Sequence, residues 1–242
     1  TAWPPTYEKA EEYGEKFDYC VETKIDGLSC AIKYEKGILV QGATRGDGLV
    51  GEDVTPNVKT IKTVPHKLKE PIDITVRGEV FISKEDFEKL NEEREILGES
   101  IFANARNAAA GSLRQLNSKI TAKRPLDIYI FNVQKIEGKT FNSHWEELNY
   151  LEKLGFNVVP FRKLCHNVKE VIKAIDEIGD KRDDLSFGID GAVIKVDNLK
   201  FRQELGSTFK VPKWAIAYKY PPEKKETILK DIIIYIYLNI LK

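Results

Sequence analysis

The stretch Tyr19–Val40 reads YCVETKIDGLSCAIKYEKGILV and contains two runs typical of β-strands. Tyr19–Thr23 and Ser29–Tyr34 are rich in β-branched, aromatic and other apolar residues, a composition that favours strands. Glu35-Lys36-Gly37 is a tight-turn signal and leads into the apolar residues Ile38–Val40. The spacing predicts a β-hairpin. Asp26-Gly27 predicts a further turn just before it.

The next elements are predicted from alternation and capping residues. Ile72–Ile82 is β-branched and alternates well enough for a strand. Ser83, with Asp86 three positions on, resembles a helix start, and we expect that helix to run to about Leu97. Asn104–Leu116 is rich in Ala, Arg, Gln and Leu, so it predicts a helix with Asn104 as a possible N-cap.

The second half of the chain mixes strands and helices irregularly. The pattern predicts strands at Leu126–Val133, Ala192–Val196 and Trp214–Tyr220, and amphipathic helices at Ser143–Leu154 and Val168–Ile178. Neither a repeating βα rhythm nor an internal repeat is seen. We therefore expect an α+β fold with mainly antiparallel sheets flanked by helices.

Both ends differ from the middle, so three parts are expected: an N-terminal helical segment over 1–17, a central domain over 18–227 and an apolar tail over 228–242. The N-terminal prediction rests on the helical composition of Tyr7–Phe17. The run Ile232–Leu241 is too short to span a bilayer. It predicts a buried or edge strand, or a strand cut from a larger context.

Composition narrows the class of protein. The 242 residues include 38 basic and 38 acidic side chains, with 42% hydrophobic and 31% charged residues. This composition is too apolar for disorder and too charged for a membrane span. A formal net charge of zero means that any nucleic-acid partner must be argued from local patches.

Cysteine and histidine spacing argues against a metal site. The three cysteines are odd in number, widely spaced and form no Cys-x-x-Cys pair, which argues against a disulfide-stapled secreted domain and a structural zinc site. The histidines have no mutual spacing typical of a metal site or triad, so we assign no role to His66, His144 or His166. A reducing compartment and no signal peptide are expected, which favours the cytoplasm.

Lys24-Ile25-Asp26-Gly27 places a lysine at a predicted strand end, next to a carboxylate. A lysine is a nucleophile when desolvation and neighbouring cations favour its neutral amine. The string alone is also typical of an ordinary surface turn.

Two further strings carry candidate ligand contacts. Arg45 is flanked by glycine in Thr44–Gly48, where backbone approaches closely, and suits an anionic or planar ligand; the alternative is a plain loop. Glu79 lies inside an apolar strand and needs a partner such as a sugar hydroxyl or a lysine. The alternative is a structural salt bridge.

Two later lysines end apolar runs. Lys195 closes Asp190–Lys195 and Lys219 lies near the end of Trp214–Tyr220. If both converge with Lys24, they suit a phosphate and help to keep its amine deprotonated. The alternative for each is snorkelling at a strand end.

A local basic segment points to nucleic acid. Ser100–Pro125 contains no acid, and its cations are Arg106, Arg114, Lys119, Lys123 and Arg124. We predict that these five residues contact DNA phosphates. The alternative is a solvated basic face.

Taken in order, these strings closely resemble the adenylation domain of bacterial NAD-dependent DNA ligase. They are Lys24–Gly27, Thr44–Gly48, Arg77–Phe81, Phe102–Gln115, Asp190–Lys195 and Trp214–Lys219. The likeness runs from about Asp18 to about Thr227. Two strings, FANARNAAAGSLRQ and ATRGDG, separate it from ATP-dependent ligases and capping enzymes.

The resemblance implies a nucleotidyltransferase fold of the DNA ligase and mRNA capping enzyme type. It also implies that Lys24 attacks the α-phosphorus of NAD to form lysyl-AMP, with Mg²⁺ or Mn²⁺ as cofactor. AMP then passes to the 5′-phosphate of a nick in double-stranded DNA, and the 3′-hydroxyl seals the strand. The cofactor-binding residues implied by the motifs are Glu22 at the adenine, Glu79 near the ribose, and Asp26, Arg45, Lys195 and Lys219.

Departures from the family set further expectations. The family's nicotinamide-binding domain has no counterpart here, nor has the zinc module, so zinc is not expected and the isolated chain is expected to be poor at the NAD step. A monomer in the bacterial cytoplasm, near the nucleoid and not at a membrane, is expected. The alternatives are an ATP- or GTP-dependent RNA ligase or capping-type enzyme, and a non-catalytic nucleotide- or DNA-binding paralogue.

Overall fold

The computed structural model describes residues 17–46, 51–208 and 211–221, and in them the chain forms two four-stranded antiparallel sheets. The strands are β1 (Tyr19–Ile25), β2 (Leu28–Glu35), β3 (Ile38–Thr44), β4 (Ile74–Ile82), β5 (Leu126–Ile136), β6 (Arg162–Cys165), β7 (Ile189–Val196) and β8 (Ala215–Lys219). One sheet has the order β6-β1-β7-β8 and the other β3-β2-β4-β5. The prediction of mainly antiparallel sheets is confirmed.

Helices accompany both sheets. They are α1 (Thr55–Val58), α2 (Lys84–Ile96), α3 (Ala105–Leu113), α4 (Ser118–Thr121), α5 (His144–Leu154), α6 (Val168–Asp180) and α7 (Leu199–Leu205). The predicted helix starts are confirmed, since the side chains of Ser83 and Asn104 accept hydrogen bonds from the backbone N–H groups of Asp86 and Asn107.

The predicted Asp26-Gly27 turn carries the chain from one sheet to the other. β1 belongs to the first sheet and β2, two residues later, to the second. A Cβ atom on Gly27 would lie only 2.2 Å from the carbonyl oxygen of Val80. Glycine is required because the two backbones meet here without room for a side chain.

The predicted β2–β3 hairpin is confirmed. Lys36 and Gly37 adopt φ values of 49° and 76°, the left-handed conformation that two-residue hairpin turns of this hand require. Glu35 pairs with Ile38, so Lys36 and Gly37 form the tip of the hairpin.

One apolar core joins the sheets and helices. In α6, Val171, Ala174, Ile175 and Ile178 are buried. Their spacing of three and four residues gives the helix one apolar face. The core therefore supports the strand ends at which the site residues lie.

Element ends differ from the predictions. The predicted helix Asn104–Leu116 ends at Leu113, and β5 extends three residues past Val133. The short elements β6, α1, α4 and α7 were not predicted, because so few residues carry too little periodicity to detect.

The predicted helix Tyr7–Phe17, apart from Phe17, and the apolar run Ile232–Leu241 lie outside the described residues. The boundaries at 17 and 227 therefore stay predictions. None of the helices in the described ranges is long and apolar enough to cross a lipid bilayer.

Candidate active site

Lys24 lies near the end of β1, and its ammonium is bound by a carboxylate. Its Nζ donates to both oxygens of Asp190, at 2.8 and 2.9 Å. The two side chains are 26% and 29% exposed, so the pair is accessible from solvent. An accessible lysine fixed at a strand end has the position that a nucleophile requires.

A β-bulge places Asp190 beside Lys24. Lys24 pairs with Gly191 and Ile25 with Ile189, which leaves Asp190 as the extra residue of β7. Bulges often redirect a side chain next to an active site. On the other side of β7, Lys219 of β8 pairs with Gly191, and its Nζ lies 3.7 Å from a carboxylate oxygen of Asp190.

A cavity of about 740 Å³ opens in front of Lys24. Cations predominate among its charged lining residues, which are Lys24, Arg45, Glu52, Arg77, Glu79, Arg106 and Arg114. Five cations facing one space attract phosphate groups. Arg106 is also held by Asp26, with Nη1 at 3.1 Å from Oδ1.

Glu79 faces this cavity from β4. Burial raises its pKa to about 7, although Arg106, Lys24 and the N–H of Gly27 act in the opposite direction. Within the described ranges, no cation lies within ion-pair distance of its carboxylate. Glu79 is therefore available to accept a hydrogen bond from a ligand hydroxyl.

A smaller cavity of about 170 Å³ is also lined by Lys24. Ile25, Phe131 and Val193 supply apolar surface, and Glu22 and Lys195 supply charge. An apolar slot with a few fixed polar groups suits a flat heterocyclic ring.

Glu22 and Lys195 belong to a buried ionic network. Lys195 Nζ lies 2.7 Å from Glu22 Oε2 and donates to the carbonyl of Phe131 at 2.9 Å. His144 Nε2 lies 2.6 Å from Glu22 Oε1. Burial opposes ionisation of Glu22, but Lys195 and His144 outweigh it and lower its pKa to about 2. Glu22 is therefore ionised at every physiological pH.

The arrangement can hold a nucleotide across Lys24. The slot beside Glu22 would take the base, Glu79 the sugar, and the arginines of the larger cavity the phosphates. Lys24 lines both cavities, so a phosphorus atom between them is within its reach.

Comparison with known proteins agrees with this geometry. The profile of the NAD-dependent DNA ligase adenylation domain matches residues 1–223. The chain belongs to this family. Its fold is the nucleotidyltransferase fold expected from the sequence.

Curated relatives of this adenylation-domain family are DNA ligases. The chain is 59% identical over 219 residues to the DNA ligase of Thermoanaerobacter sp. (strain X514), covering 90% of the chain and 33% of that protein. It is 55% identical over 225 residues to the DNA ligase of Acetivibrio thermocellus, covering 93% and 34%. The chain thus spans about a third of the length of the relatives it matches. An archaeal ATP-dependent RNA ligase aligns over 89% of this chain and 44% of its own, with 16% identity and a TM-score of 0.47.

Among the residues that the structure describes, no cluster suits magnesium by itself. In the described part of the chain, three possible metal ligands cluster: Cys20, Glu22 and His144. They offer one thiol, one carboxylate and one imidazole, whereas Mg²⁺ prefers oxygen ligands. The ammonium of Lys195 also occupies Glu22. Mg²⁺ often binds largely through substrate phosphates, so it stays a prediction for this family member.

The structure brings most predicted cofactor-binding residues together. Glu22, Arg45, Glu79 and Lys195 line the two cavities around Lys24, and Asp26 holds the cavity residue Arg106. The two later lysines separate: Lys219 meets Lys24 at Asp190, while the ammonium of Lys195 is bound to Glu22. Lys195 is 5% exposed, so it does not snorkel.

The predicted DNA contacts divide into two groups. Arg106 and Arg114 line the larger cavity. Lys119 and Lys123 are exposed on and after α4, and Arg124 is half-buried. DNA contact by any of the five residues stays a prediction, and the structure places the first group at the cavity that Lys24 lines.

Sequence reasoning missed three residues. Asp190 opens the string that ends at Lys195, and Arg77 lies two positions before Glu79, so strand alternation could have placed Arg77 beside it. His144 received no role, and the structure places it in contact with Glu22. No sequence motif predicts this contact, because 122 positions separate His144 from Glu22.

Proposed function

We propose that this chain is the adenylation core of an NAD-dependent DNA ligase. In this function Lys24 takes AMP from NAD, the AMP passes to the 5′-phosphate of a nick in double-stranded DNA, and the adjacent 3′-hydroxyl displaces it to seal the strand. The observation that supports it most directly is the position of Lys24, which lines both the apolar slot and the cationic cavity.

The first step forms a bond between Lys24 Nζ and the α-phosphorus of NAD, and breaks the bond from that phosphorus to the oxygen of nicotinamide mononucleotide. The ammonium must first lose a proton, because only the neutral amine has a lone pair. Asp190 is the nearest acceptor, at 2.8 Å. Fixed geometry supplies much of the rate in such transfers.

The cations around the larger cavity stabilise charge that develops on the phosphate oxygens. Arg45, Arg77 and Arg106 surround the space that the phosphates would occupy. Charge stabilisation by groups already in place is a large contribution to phosphoryl transfer.

Sugar and base have separate partners in this proposal. Glu79 accepts a hydrogen bond from a ribose hydroxyl, which requires its ionised form. Phe131 and Val193 enclose the adenine, and the Glu22 carboxylate faces its exocyclic amino group.

Nicked duplex DNA is the proposed second substrate. Arg114 connects the cavity to the basic segment that continues through Lys119 and Lys123. A phosphate strand that follows these cations reaches Lys24 at the nick.

The test is the intact mass of the purified chain before and after incubation with NAD and Mg²⁺. Because the chain is expected to be poor at the NAD step, the expected result is a slow and partial gain of one AMP that is absent in Lys24→Ala. Incubation with ATP in place of NAD is the donor control, and we expect no gain. A gain with ATP alone would favour an ATP-dependent enzyme, and no gain with either donor would contradict adenylation by this chain.

A further inference from the structure

His144, the first residue of α5, is completely buried and lies next to Glu22 and Lys195, which line the small cavity. Its Nε2 lies 2.6 Å from Glu22 Oε1, and its Nδ1 lies 3.0 Å from Glu147 Oε2. His144 does not line either cavity. Any effect on a ligand therefore passes through Glu22 or Lys195.

The contact between His144 and Glu22 fixes a hydrogen on Nε2. A ring nitrogen 2.6 Å from a carboxylate oxygen must donate, since two lone pairs would repel each other. Lys195 Nζ also lies 3.1 Å from this nitrogen, and two of its three hydrogens have acceptors in Glu22 and the Phe131 carbonyl. The direction of the hydrogen bond at Nε2 follows from the shorter contact with Glu22, at 2.6 Å.

Both oxygens of Glu22 are thereby held. Oε1 accepts from His144, with the thiol of Cys20 3.6 Å away, and Oε2 accepts from Lys195. The carboxylate is 2% exposed, so its plane cannot turn without breaking one of these bonds. The remaining lone pair directions are fixed relative to the cavity.

Other charged groups surround the network from α7 and the end of β7. Asp197 and Arg202 are buried near it, and Glu147 faces His144 from the same helix. Burial raises the pKa of Asp197. Burial also lowers the pKa of Arg202, although the carboxylates of Glu147, Glu22 and Asp197 act in the opposite direction. Lys195 and Arg202 therefore offset part of the negative charge around Glu22.

An ionised carboxylate is only an acceptor of hydrogen bonds. Adenine presents an amino donor at its sixth position, whereas hypoxanthine and guanine present a carbonyl acceptor there. A carboxylate that neither turns nor protonates accepts from the amino group and repels the carbonyl.

We propose that His144 is a positioning residue: by holding Glu22 in one orientation as an acceptor, it sets the preference of the nucleotide slot for 6-aminopurines over 6-oxopurines. This inference rests on the proposed function, because it assumes that the base of the adenylate occupies the slot beside Glu22.

The test compares the binding of AMP and IMP to the chain by calorimetry. The matched variants are His144→Gln and His144→Asn, which differ by one methylene. The glutamine amide reaches the position of Nε2 and can donate to Glu22, whereas the asparagine amide stops short of it. His144→Gln is expected to keep the AMP preference, and His144→Asn to lower the AMP-to-IMP affinity ratio about tenfold.

The AMP-to-IMP affinity ratio distinguishes a positioning role of His144 from a merely structural one. A general loosening of the fold weakens AMP and IMP binding equally, so an unchanged ratio in His144→Asn would overturn the inference. Glu22→Gln is the positive control, because an amide both donates and accepts and so should reduce the preference. If the wild-type chain binds neither nucleotide, the proposed function fails with it.

A second measurement needs no substitution. In the wild-type chain, ¹⁵N-edited NMR of the imidazole should show a hydrogen on His144 Nε2 that is shielded from exchange, with a shift that differs between the AMP and IMP complexes. An unprotonated Nε2 would overturn the inference even if His144→Asn failed to fold.

Discussion

The ammonium of Lys24 lies 2.8 and 2.9 Å from the two carboxylate oxygens of Asp190, a residue 166 positions further along the chain. The bulge in β7 produces this contact, because a regular ladder would have paired Asp190 with a residue of β1. The proposed nucleophile is thus held at a fixed point where it lines both cavities, next to a group that can take its proton.

Replacing Lys24 should abolish adenylation while leaving the fold nearly intact. In Lys24→Ala the chain loses a part-exposed ion pair, which typically contributes no more than about 1 kcal/mol. Lys219 remains within 3.7 Å of Asp190 and offsets its charge. Intact mass after incubation with NAD should show no added AMP, and the melting temperature should fall by only a few degrees.

The matched control is Lys33→Ala, which removes an exposed lysine paired with Glu35 in β2. It should adenylate normally. A large loss of melting temperature in Lys24→Ala alone would mean that this lysine is structural.

Because of Glu79, the free energy of unfolding should decrease as pH rises. Its pKa is raised from an ordinary 4.5 to about 7, so between these values the folded chain holds a proton that the unfolded chain has lost. Stability therefore decreases with increasing pH across this window. Urea unfolding at pH 5 and pH 8 should show the trend in the wild type and a smaller one in Glu79→Gln.

Nucleotide binding should have the opposite pH dependence. If the ionised carboxylate of Glu79 accepts from the ribose, AMP affinity increases as pH rises through about 7. Calorimetric titration at several pH values checks this, with 2′,3′-dideoxy-AMP as the ligand control. An equal pH dependence for both ligands would argue against a hydroxyl contact.

Gly191 should tolerate no side chain. A Cβ atom there would lie 1.9 Å from the carbonyl oxygen of Tyr218, so Gly191→Ala must push β8 away and displace Lys219. We expect a loss of about 1–3 kcal/mol in the free energy of unfolding, typical of overpacking.

Gly111→Ala is the matched comparison. Gly111 lies inside α3, where an added Cβ would meet only a ring carbon of Phe102 at 3.5 Å. Alanine favours a helix over glycine by about 0.8–1.0 kcal/mol, so this variant should be more stable than the wild type. Denaturant unfolding measures both variants, and a destabilised Gly111→Ala would show that this helix position is more crowded than it appears.

The basic segment should contribute to DNA binding through charge. Lys119→Ala and Lys123→Ala should each weaken binding to a nicked duplex and reduce the slope of log K against log salt by about 1. Fluorescence anisotropy at several salt concentrations gives both quantities. Lys173→Ala, an exposed lysine on α6, is the control and should leave the slope unchanged.

Local structure was predictable where a few neighbouring residues decide it. Ser83 and Asn104 cap their helices through side-chain bonds within three residues, and the Lys36-Gly37 turn depends on its own backbone. The end of α3 was predicted three residues too late, because helix composition continues beyond Leu113.

The site itself was only partly predictable. Glu22, Arg45 and Glu79 could be placed through the family motifs, and the structure puts all three around Lys24. The partner of Lys195 could not be predicted. Its side chain is buried and binds Glu22, whereas Lys219 lies beside Asp190, and no local sequence pattern reveals how deeply a side chain is buried.

The sequence by itself determined the order of most strands and longer helices and the family, and it indicated the proposed nucleophile Lys24, because these depend on residues close together in the chain. Tertiary structure alone decided the partners of the charged groups. Asp190 meets Lys24 through a bulge between strands that are distant in sequence, and His144, the first residue of α5, meets Glu22 of β1. In a buried site of low dielectric, such long-range pairs determine which charges form and where they point.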